Sequence, residues 1–160
     1  MIDASLAHSV LLTLEKKGLS LGSVESLTGG LFASSICSIP GASKVFKGAI
    51  VSYADEIKEK LLGVNPLTIA REGVVSQSVA SEMAQGGLKA LNVDVVVSFT
   101  GNAGPTAEPG EAPIGRVYMA IVFKNQTKPF AYAVDLFGSR NEIREECVNF
   151  ILSQLADCLK

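Results

Sequence analysis

The apolar positions of this chain change repeatedly from the spacing of a helix to that of a strand. Over residues 5–17 they recur every three or four residues, which predicts a helix. The run 93–100 is dominated by valine and phenylalanine, which is typical of a central strand covered on both faces. The same criteria predict further helices at 29–38, 55–62, 65–71, 76–90 and 139–159. They predict further strands at 19–25, 48–53, 116–123 and 129–136, with a short strand or bridge at 74–75.

The order of these segments predicts the fold class. Helices alternate with strands up to residue 100 and the last two strands form a hairpin, so we expect an α/β sandwich with a mixed sheet. No repeat, low-complexity segment or linker divides residues 1–160, and we expect a single domain. Unusual loops follow Glu25, Tyr53 and Phe99, each at the carboxyl end of a predicted strand. Ligands of such sheets bind at that edge, so the loops predict one common active site.

Composition and charge argue against several classes of partner. The net charge is -2 and the 14 lysine and arginine residues are scattered, so nucleic acid is not an expected partner. No apolar run approaches the roughly 18 residues of a membrane helix, and the N-terminus lacks a signal-peptide pattern. We therefore expect no membrane partner and a cytoplasmic location. Cys37, Cys147 and Cys158 lack metal-site spacing, and we expect buried free thiols.

The loop after Glu25 carries the residue best suited to be a nucleophile. Ser26 lies where a predicted strand meets a helix, and Gly29 and Gly30 allow a ligand or another backbone to approach closely. The N–H groups of Thr28, Gly29 and Gly30 could hold a phosphate or the oxyanion of a tetrahedral intermediate. The same residues also fit a simple helix cap, in which Ser26 and Thr28 have no chemical role.

Lys58 is the candidate base. It lies in the first turn of a predicted helix that Asp55 caps, where the helix dipole disfavours an ammonium. Burial would lower the pKa of Lys58 further, whereas Asp55 and Glu56 would raise it. A neutral lysine can remove the proton from a serine hydroxyl. Alternatively, Lys58 is an ordinary solvated lysine and Tyr53, at the preceding strand end, is a rim or core aromatic.

Two further segments could bind a nucleotide. Thr100, Gly101 and Gly104 follow the buried strand in a tight turn, where a phosphate could approach the backbone. Glycine is also common in turns that bind nothing. Arg140, at the start of the last helix, could hold a phosphate through two parallel hydrogen bonds, or it could be a solvated arginine.

The single histidine limits the catalytic alternatives. His8 lies beside the apolar stripe of the first helix, so a Ser-His-Asp hydrolase is not expected. The chain has no HExxH motif, no Cys-His cluster and no Walker phosphate loop. These patterns favour a serine activated by a lysine, with neither metal nor cofactor.

Taken in order, these residues resemble the CinA C-terminal-domain family over nearly the whole chain. The resemblance is carried by residues 25–30 (ESLTGG), 39–43 (IPGAS), 51–58 (VSYADEIK), 62–64 (LGV), 73–76 (GVVS), 100–105 (TGNAGP), 113–115 (PIG) and 138–140 (GSR). It implies a three-layer α/β/α sandwich with a mixed, mostly parallel sheet. It also implies hydrolysis of the carboxamide of nicotinamide mononucleotide (NMN) to nicotinate mononucleotide and ammonia, and a homodimer.

The resemblance also implies a role for individual residues, because the family uses a serine–lysine dyad and no metal. By position, Ser26 becomes the nucleophile and Lys58 the base, with Tyr53 beside them at the catalytic site. The amides of Thr28, Gly29 and Gly30 become the oxyanion donors. The implied substrate-binding residues are Ser43, Thr100, Gly101, Gly104 and Arg140, of which Arg140 would contact the phosphate.

Several positions depart from the pattern of the family, and most of them lie in the expected substrate loop. They are Leu27 for a usual cysteine, Asn102 for isoleucine, Ala112 for lysine, Arg116 for threonine, Ser139 for aspartate, and a loop 106–111 without paired glycines. Two other functions therefore stay open. One is a nucleotide-binding or interaction module without catalysis, linked to competence or DNA damage, and the other is an amidase for a different substrate.

Overall fold

A five-stranded sheet with helices on both faces forms the structure, and the computed structural model describes residues 1–160. The strands are β1 (Leu21–Glu25), β2 (Phe46–Val51), β3 (Val95–Gly101), β4 (Arg116–Phe123) and β5 (Phe130–Asp135). The helices are α1 (Ala4–Lys17), α2 (Leu31–Cys37), α3 (Asp55–Leu62), α4 (Pro66–Glu72), α5 (Gln77–Leu91) and α6 (Arg140–Cys158). A short 3-10 turn, Ala42–Lys44, precedes β2.

The sheet is mixed, as expected, with the strand order β2-β1-β3-β4-β5. β1 pairs parallel with β2 and β3, whereas β4 pairs antiparallel with β3 and β5. Four of the five strands therefore point in one direction, although parallel and antiparallel pairs are equally numerous. β4 takes part in both antiparallel pairs. Because β1 pairs in parallel with β2 and β3, the carboxyl ends of these three strands lie together at one edge of the sheet.

The helices cover both faces of the sheet and complete a three-layer sandwich. On one face α1, α2 and α6 pack against strand residues such as Val97 and Met119, in a core of 25 buried residues. On the other face α3 and α5 pack against Val24, Val96 and Ala120, in a core of 11 buried residues. β3 supplies side chains to both cores, which explains why six of its seven residues are buried.

Capping residues account for where several helices begin and end. Ser139 and Glu142 form the expected capping box at the start of α6: the Glu142 N–H donates to Ser139 Oγ at 3.2 Å, and the Ser139 N–H donates to Glu142 Oε1 at 2.8 Å. Gly18 ends α1 in the left-handed conformation that glycine adopts most easily. The side chain of Asn65 caps α4, with its Oδ1 accepting from the Leu67 N–H.

Some local expectations were wrong. Asp55 is the first residue of α3 rather than its cap, and no side chain caps this helix. Residues 74–75 form a bend between α4 and α5 instead of a strand. Of the three free thiols, Cys147 is buried, Cys158 is half-buried and Cys37 is exposed. None of the helices combines the length and apolar character that crossing a membrane requires.

Candidate active site

A cavity of about 720 Å³ opens at the edge of the sheet where β1, β2 and β3 end. Its wall is formed by the loops after these three strands, by the first turns of α3 and by the beginning of α6. Ser26, Tyr53, Lys58, Thr100 and Arg140, which come from separate segments of the sequence, all line it. The fold therefore brings together most of the residues that the sequence suggested.

A buried carboxylate holds the loop that carries Ser26. Glu25, the last residue of β1, is fully buried and accepts hydrogen bonds from the N–H groups of Gly30, Phe32 and Ala33 at 3.0–3.1 Å. These donors lie at the start of α2, where backbone N–H groups have no partner within the helix. The carboxylate thus replaces a capping side chain. Ser26 follows directly, 8% exposed, and faces the cavity.

Lys58 reaches Ser26 from α3, and its side chain is only 1% exposed. Its Nζ lies 3.0 Å from Ser26 Oγ, 2.7 Å from the carbonyl oxygen of Ser52 and 3.0 Å from that of Tyr53. Carbonyl oxygens can only accept hydrogen bonds, so Nζ donates to Ser52 and Tyr53. A neutral amine has two N–H bonds and one lone pair. In that form the lone pair faces the Ser26 hydroxyl, which can then donate to Nζ.

The surroundings of Lys58 make this neutral form more accessible than it is for a solvated lysine. Burial lowers the pKa of Lys58, and the nearby carboxylate of Asp55 acts in the opposite direction. No carboxylate forms an ion pair with Nζ, so three hydrogen bonds to neutral oxygens are all that compensate an ammonium for its lost hydration. A lowered pKa increases the fraction of Lys58 that can accept a proton near neutral pH.

The free backbone donors beside Ser26 are not all the expected ones. The Gly29 N–H donates to the Ser26 carbonyl at 2.9 Å, and the Gly30 N–H donates to the Glu25 carboxylate at 3.0 Å. Both amides are therefore engaged within the loop, which corrects that part of the prediction. The N–H groups of Leu27 and Thr28 donate to no acceptor in the chain. The Thr28 hydroxyl is likewise buried and has no partner.

Arg140 is the lining guanidinium that has no carboxylate partner. It donates to the hydroxyl of Tyr53 at 3.0 Å and to the carbonyl oxygen of Gly104, and both acceptors are neutral. The other arginine in the cavity wall, Arg116, forms a two-pronged ion pair with Asp135. Tyr53 is 60% exposed, so it is a rim residue whose hydroxyl is directed toward Arg140. The positive charge of Arg140 remains available to an anionic ligand.

The turn after β3 shapes the cavity wall, but its groups already have partners. The hydroxyl of Thr100 donates to the carbonyl oxygen of Val74 at 2.9 Å, which attaches the bend between α4 and α5 to the sheet. A Cβ added at Gly101 would lie 2.8 Å from the carbonyl oxygen of Arg116, so glycine is needed where β3 meets β4. Gly104 accepts from Arg140, as described above. Substrate contact by these three residues stays a prediction.

Ser43 lies away from the cavity. It is exposed in the 3-10 turn before β2 and does not contribute to the cavity wall, so substrate contact by Ser43 stays a prediction from the family pattern. The physical reason is the direction of β2. The cavity lies beyond the carboxyl end of this strand, whereas Ser43 precedes its amino end, and at a rise of roughly 3.3 Å per residue the six residues of β2 separate the two ends by roughly 17 Å.

Sequence reasoning missed two side chains that organise the site. The guanidinium of Arg144 on α6 donates to the carbonyl oxygens of Leu27 and Thr28 at 3.0 and 2.9 Å. The amide of Asn102 bonds to backbone groups in residues 104–112 and closes the loop beside the cavity. The only sequence signal for Arg144 was its spacing of four from Arg140, which places both on one face of the helix. No three histidine, cysteine, aspartate or glutamate side chains are grouped so that they could hold a metal ion.

The fold and the site define an α/β protein with a buried serine–lysine pair at the carboxyl edge of its sheet. Residues 3–159 match the family model described as the CinA C-terminal domain. The chain therefore belongs to the CinA C-terminal domain family, which confirms the resemblance seen in its sequence.

Relatives from several bacteria agree with this assignment. A protein of Limosilactobacillus reuteri named as a competence-damage inducible protein is 44% identical over 159 residues, which cover 99% of this chain and 38% of that protein. A CinA-like protein of Kosmotoga olearia is 41% identical over 150 residues, which cover 94% of this chain and 36% of that protein. The chain thus spans well under half the length of these two relatives.

Solved structures share the whole fold. The crystal structure of the competence/damage inducible protein CihA from Agrobacterium tumefaciens has a TM-score of 0.93 at 30% identity, covering 100% of this chain and 99% of that chain. A CinA superfamily protein from Escherichia coli has a TM-score of 0.91 at 30% identity, covering 96% and 88% of the two chains. The five-stranded mixed sheet flanked by helices is therefore the fold of CinA structures.

Proposed function

We propose that this chain is an amidohydrolase that converts the carboxamide of NMN to a carboxylate, releasing nicotinate mononucleotide and ammonia. The observation that carries the proposal is the buried pair in which Lys58 Nζ lies 3.0 Å from Ser26 Oγ. Lys58 has no carboxylate partner, so a structural ion pair does not explain its burial. Its lowered pKa suits a base that activates a serine. The substrate itself is inferred from the family.

The proposed reaction has two halves. Ser26 Oγ attacks the carboxamide carbon while its proton moves to the neutral Lys58, and a tetrahedral oxyanion forms. The carbon–nitrogen bond then breaks, and ammonia leaves with the proton that Lys58 returns. A water molecule attacks the resulting ester, again losing a proton to Lys58, and the Ser26 oxygen leaves with that proton. We assign the oxyanion to the N–H groups of Leu27 and Thr28, which have no acceptor in the chain.

Arg140 binds the phosphate of the substrate in this proposal, at a distance from the carboxamide that reacts with Ser26. Its guanidinium is not neutralised by a carboxylate and is held at the rim by Tyr53 and Gly104. A phosphate bound there would leave the pyridine ring to extend toward Ser26 across the cavity. The cavity volume of about 720 Å³ lies within the usual range for small-molecule sites.

The proposal is tested by incubating the purified chain with NMN and measuring ammonia and nicotinate mononucleotide together. We expect the two products in equal amounts. Nicotinate mononucleotide offered as the starting compound is the matched control, because it has the phosphate and ribose but no amide nitrogen to release. A folded chain that yields neither product from NMN would contradict the proposal.

A second candidate is a module that binds a nucleotide without turning it over. Arg116 in the cavity wall, ion-paired with Asp135 where the family usually has an uncharged threonine, is the observation that favours a ligand other than NMN, whether or not it is turned over. A rise in melting temperature with NMN but no ammonia would support this module. Ammonia release from another pyridine amide, but not from NMN, would instead support an amidase with a different substrate.

The remaining expectations concern the setting of the site. The family resemblance predicts a homodimer, and a cytoplasmic location stays an expectation from the sequence. Size-exclusion chromatography with light scattering tests the oligomeric state, and a monomeric mass across a range of concentrations would contradict it.

A further inference from the structure

Arg144 connects α6 to the loop that follows the nucleophile. Its Nε donates to the Leu27 carbonyl at 3.0 Å, and its Nη2 donates to the Thr28 carbonyl at 2.9 Å. A third donor, Nη1, bonds to Asn141 Oδ1 at 3.0 Å, which fixes the plane of the guanidinium. A Cβ added at Gly29 would lie 3.5 Å from Nη2, so the guanidinium lies directly against the loop. Arg144 therefore holds two consecutive peptide groups at once.

These contacts determine where the neighbouring N–H groups point. In a trans peptide the carbonyl oxygen and the following N–H point in opposite directions. When Arg144 draws the Leu27 carbonyl toward α6, the Thr28 N–H is directed away from α6. The Ser26 carbonyl accepts from the Gly29 N–H, and the Leu27 N–H of the same peptide group therefore points away from Gly29. Both of these N–H groups lack an acceptor in the chain.

We propose that Arg144 is a positioning residue for the oxyanion site of Ser26. It fixes the Leu27–Thr28 and Thr28–Gly29 peptide groups. The Thr28 N–H is thereby oriented directly, and the Leu27 N–H indirectly, through the Gly29 N–H that holds the Ser26 carbonyl, before negative charge develops on the reacting oxygen. Preoriented donors stabilise a transition state without the cost of rotating during the reaction. This inference rests on the proposed function, because it requires Ser26 to be a nucleophile.

The geometry calls for an arginine at this position. A guanidinium presents several N–H donors in a rigid plane and can hold two carbonyls in fixed directions. The single amine of a lysine has no such plane, so Arg144→Lys should retain the charge but loosen the loop. Arg144→Met removes the donors while keeping much of the apolar stem.

The test measures kcat and KM for NMN in both variants. Loss of alignment should cost less than loss of a donor, so we expect kcat to fall roughly 10-fold in Arg144→Lys and roughly 100-fold in Arg144→Met. KM should stay within about threefold of wild type, because the oxyanion forms only in the transition state.

A rescue experiment uses a third variant, Arg144→Ala, which leaves space for a free guanidinium ion. Millimolar guanidinium should partly restore kcat in this variant. Arg71→Met, at an exposed position outside the cavity wall, should behave like the wild type.

A second measurement separates this inference from the proposed function. A serine-directed fluorophosphonate labels Ser26 when its oxygen bonds to phosphorus, fluoride leaves, and the serine proton moves to Lys58. The phosphoryl oxygen then occupies the oxyanion position. Slower labelling in the folded Arg144→Lys variant supports the inference, even if wild-type protein releases no ammonia from NMN.

The inference is overturned by any of three results. Both variants could keep wild-type kcat and labelling rate, or KM alone could rise. Alternatively, activity could fall only in proportion to the unfolded fraction seen by circular dichroism. Wild-type protein that neither labels at Ser26 nor hydrolyses NMN would overturn both the inference and the proposed function.

Discussion

Lys58 and Ser26 are 32 positions apart in sequence, yet their Nζ and Oγ atoms lie 3.0 Å from each other. The cause is the parallel pairing of β1 and β2, in which Glu25 lies opposite Val51. Ser26 follows Glu25 directly, and the chain after Val51 turns into α3, which carries Lys58 in its first turn. Two neighbouring parallel strands thus deliver a hydroxyl and an amine to the same point.

The pH dependence of catalysis should report the protonation of Lys58. Only the neutral amine can accept the serine proton, so kcat/KM should increase about tenfold per pH unit below the pKa of Lys58 and level off above it. Burial lowers that pKa from 10.5, and Asp55 opposes the shift. Asp55→Asn removes the opposing charge, which lowers the pKa further. The rising limb of the profile should therefore move to lower pH.

Glu56→Gln is the matched control for this shift, because the neighbouring Glu56 is exposed and lies outside the cavity wall. Its pH profile should coincide with that of the wild type. A rising limb that stays in place in Asp55→Asn, or moves to higher pH, would show that Lys58 is not the titrating base.

The buried amine should also appear in the stability of the protein. Because the pKa of Lys58 is lower in the folded state than its ordinary value of 10.5, the unfolded chain binds more protons between these two values. The contribution of Lys58 to the free energy of unfolding should therefore increase with pH in that window. Lys58→Met should be more stable than the wild type at neutral pH, with the difference shrinking as the pH approaches 10.5.

Urea unfolding at a series of pH values measures this difference directly. Lys60→Met, at an exposed position on the same helix, should show a small difference that does not depend on pH. A Lys58→Met variant that is less stable than the wild type at neutral pH would mean that the three hydrogen bonds of the amine outweigh its desolvation.

Arg140→Met should weaken binding of the phosphate more than it slows the chemical step. A hydrogen bond to a charged group contributes about 1.5–3 kcal/mol, so KM for NMN should rise roughly 10- to 100-fold. The effect of the substitution on kcat should be much smaller. Nicotinamide riboside, which lacks the phosphate, is the discriminating substrate. Its kcat/KM should be nearly the same in the wild type and the variant, whereas an equal loss for both substrates would contradict a phosphate contact.

Glu25→Gln should destabilise the loop that carries the nucleophile. The carboxylate accepts from one hydroxyl and three backbone N–H groups, whereas a glutamine would direct its own N–H donors at some of them. We expect a loss of about 2–4 kcal/mol in the free energy of unfolding, measured in urea. Glu56→Gln makes the same chemical change at an exposed position and should cost little. Equal stabilities for the two variants would contradict a structural role of Glu25.

Much of the fold was accessible from the sequence because its elements carry strong local signals. The apolar run of β3, the capping box at Ser139 and the turns after Glu25 and Tyr53 follow from periodicity and from residues with narrow conformational preferences. Parallel strands place their carboxyl ends at one edge, so the meeting of Ser26 and Lys58 could also be predicted. The prediction was wrong at the start of α3, where Asp55 is a residue type that often caps helices but is the first residue of the helix itself.

The details of the oxyanion loop could not be predicted in this way. The positive φ angles of Gly29 and Gly30 turn their N–H groups toward Ser26 and Glu25, and only the folded loop shows this. Arg144 reaches the loop from a helix 116 residues further along the chain, so no local pattern connects them. Ser43 is a different case, because its position before the predicted strand 48–53 already put it at the opposite end from the expected site, and only the family motif suggested substrate contact.

The most direct test of the account is a double-mutant cycle on the dyad, read as the kcat for ammonia release from NMN. We expect Ser26→Ala and Lys58→Met each to lose at least about a thousandfold, and the double variant to lose no more than either, because residues that act as one unit are not additive. All three should stay folded, and Lys60→Met should retain wild-type turnover. A single variant that keeps turnover within about tenfold of the wild type, or losses that multiply in the double variant, would contradict the claim that Lys58 activates Ser26.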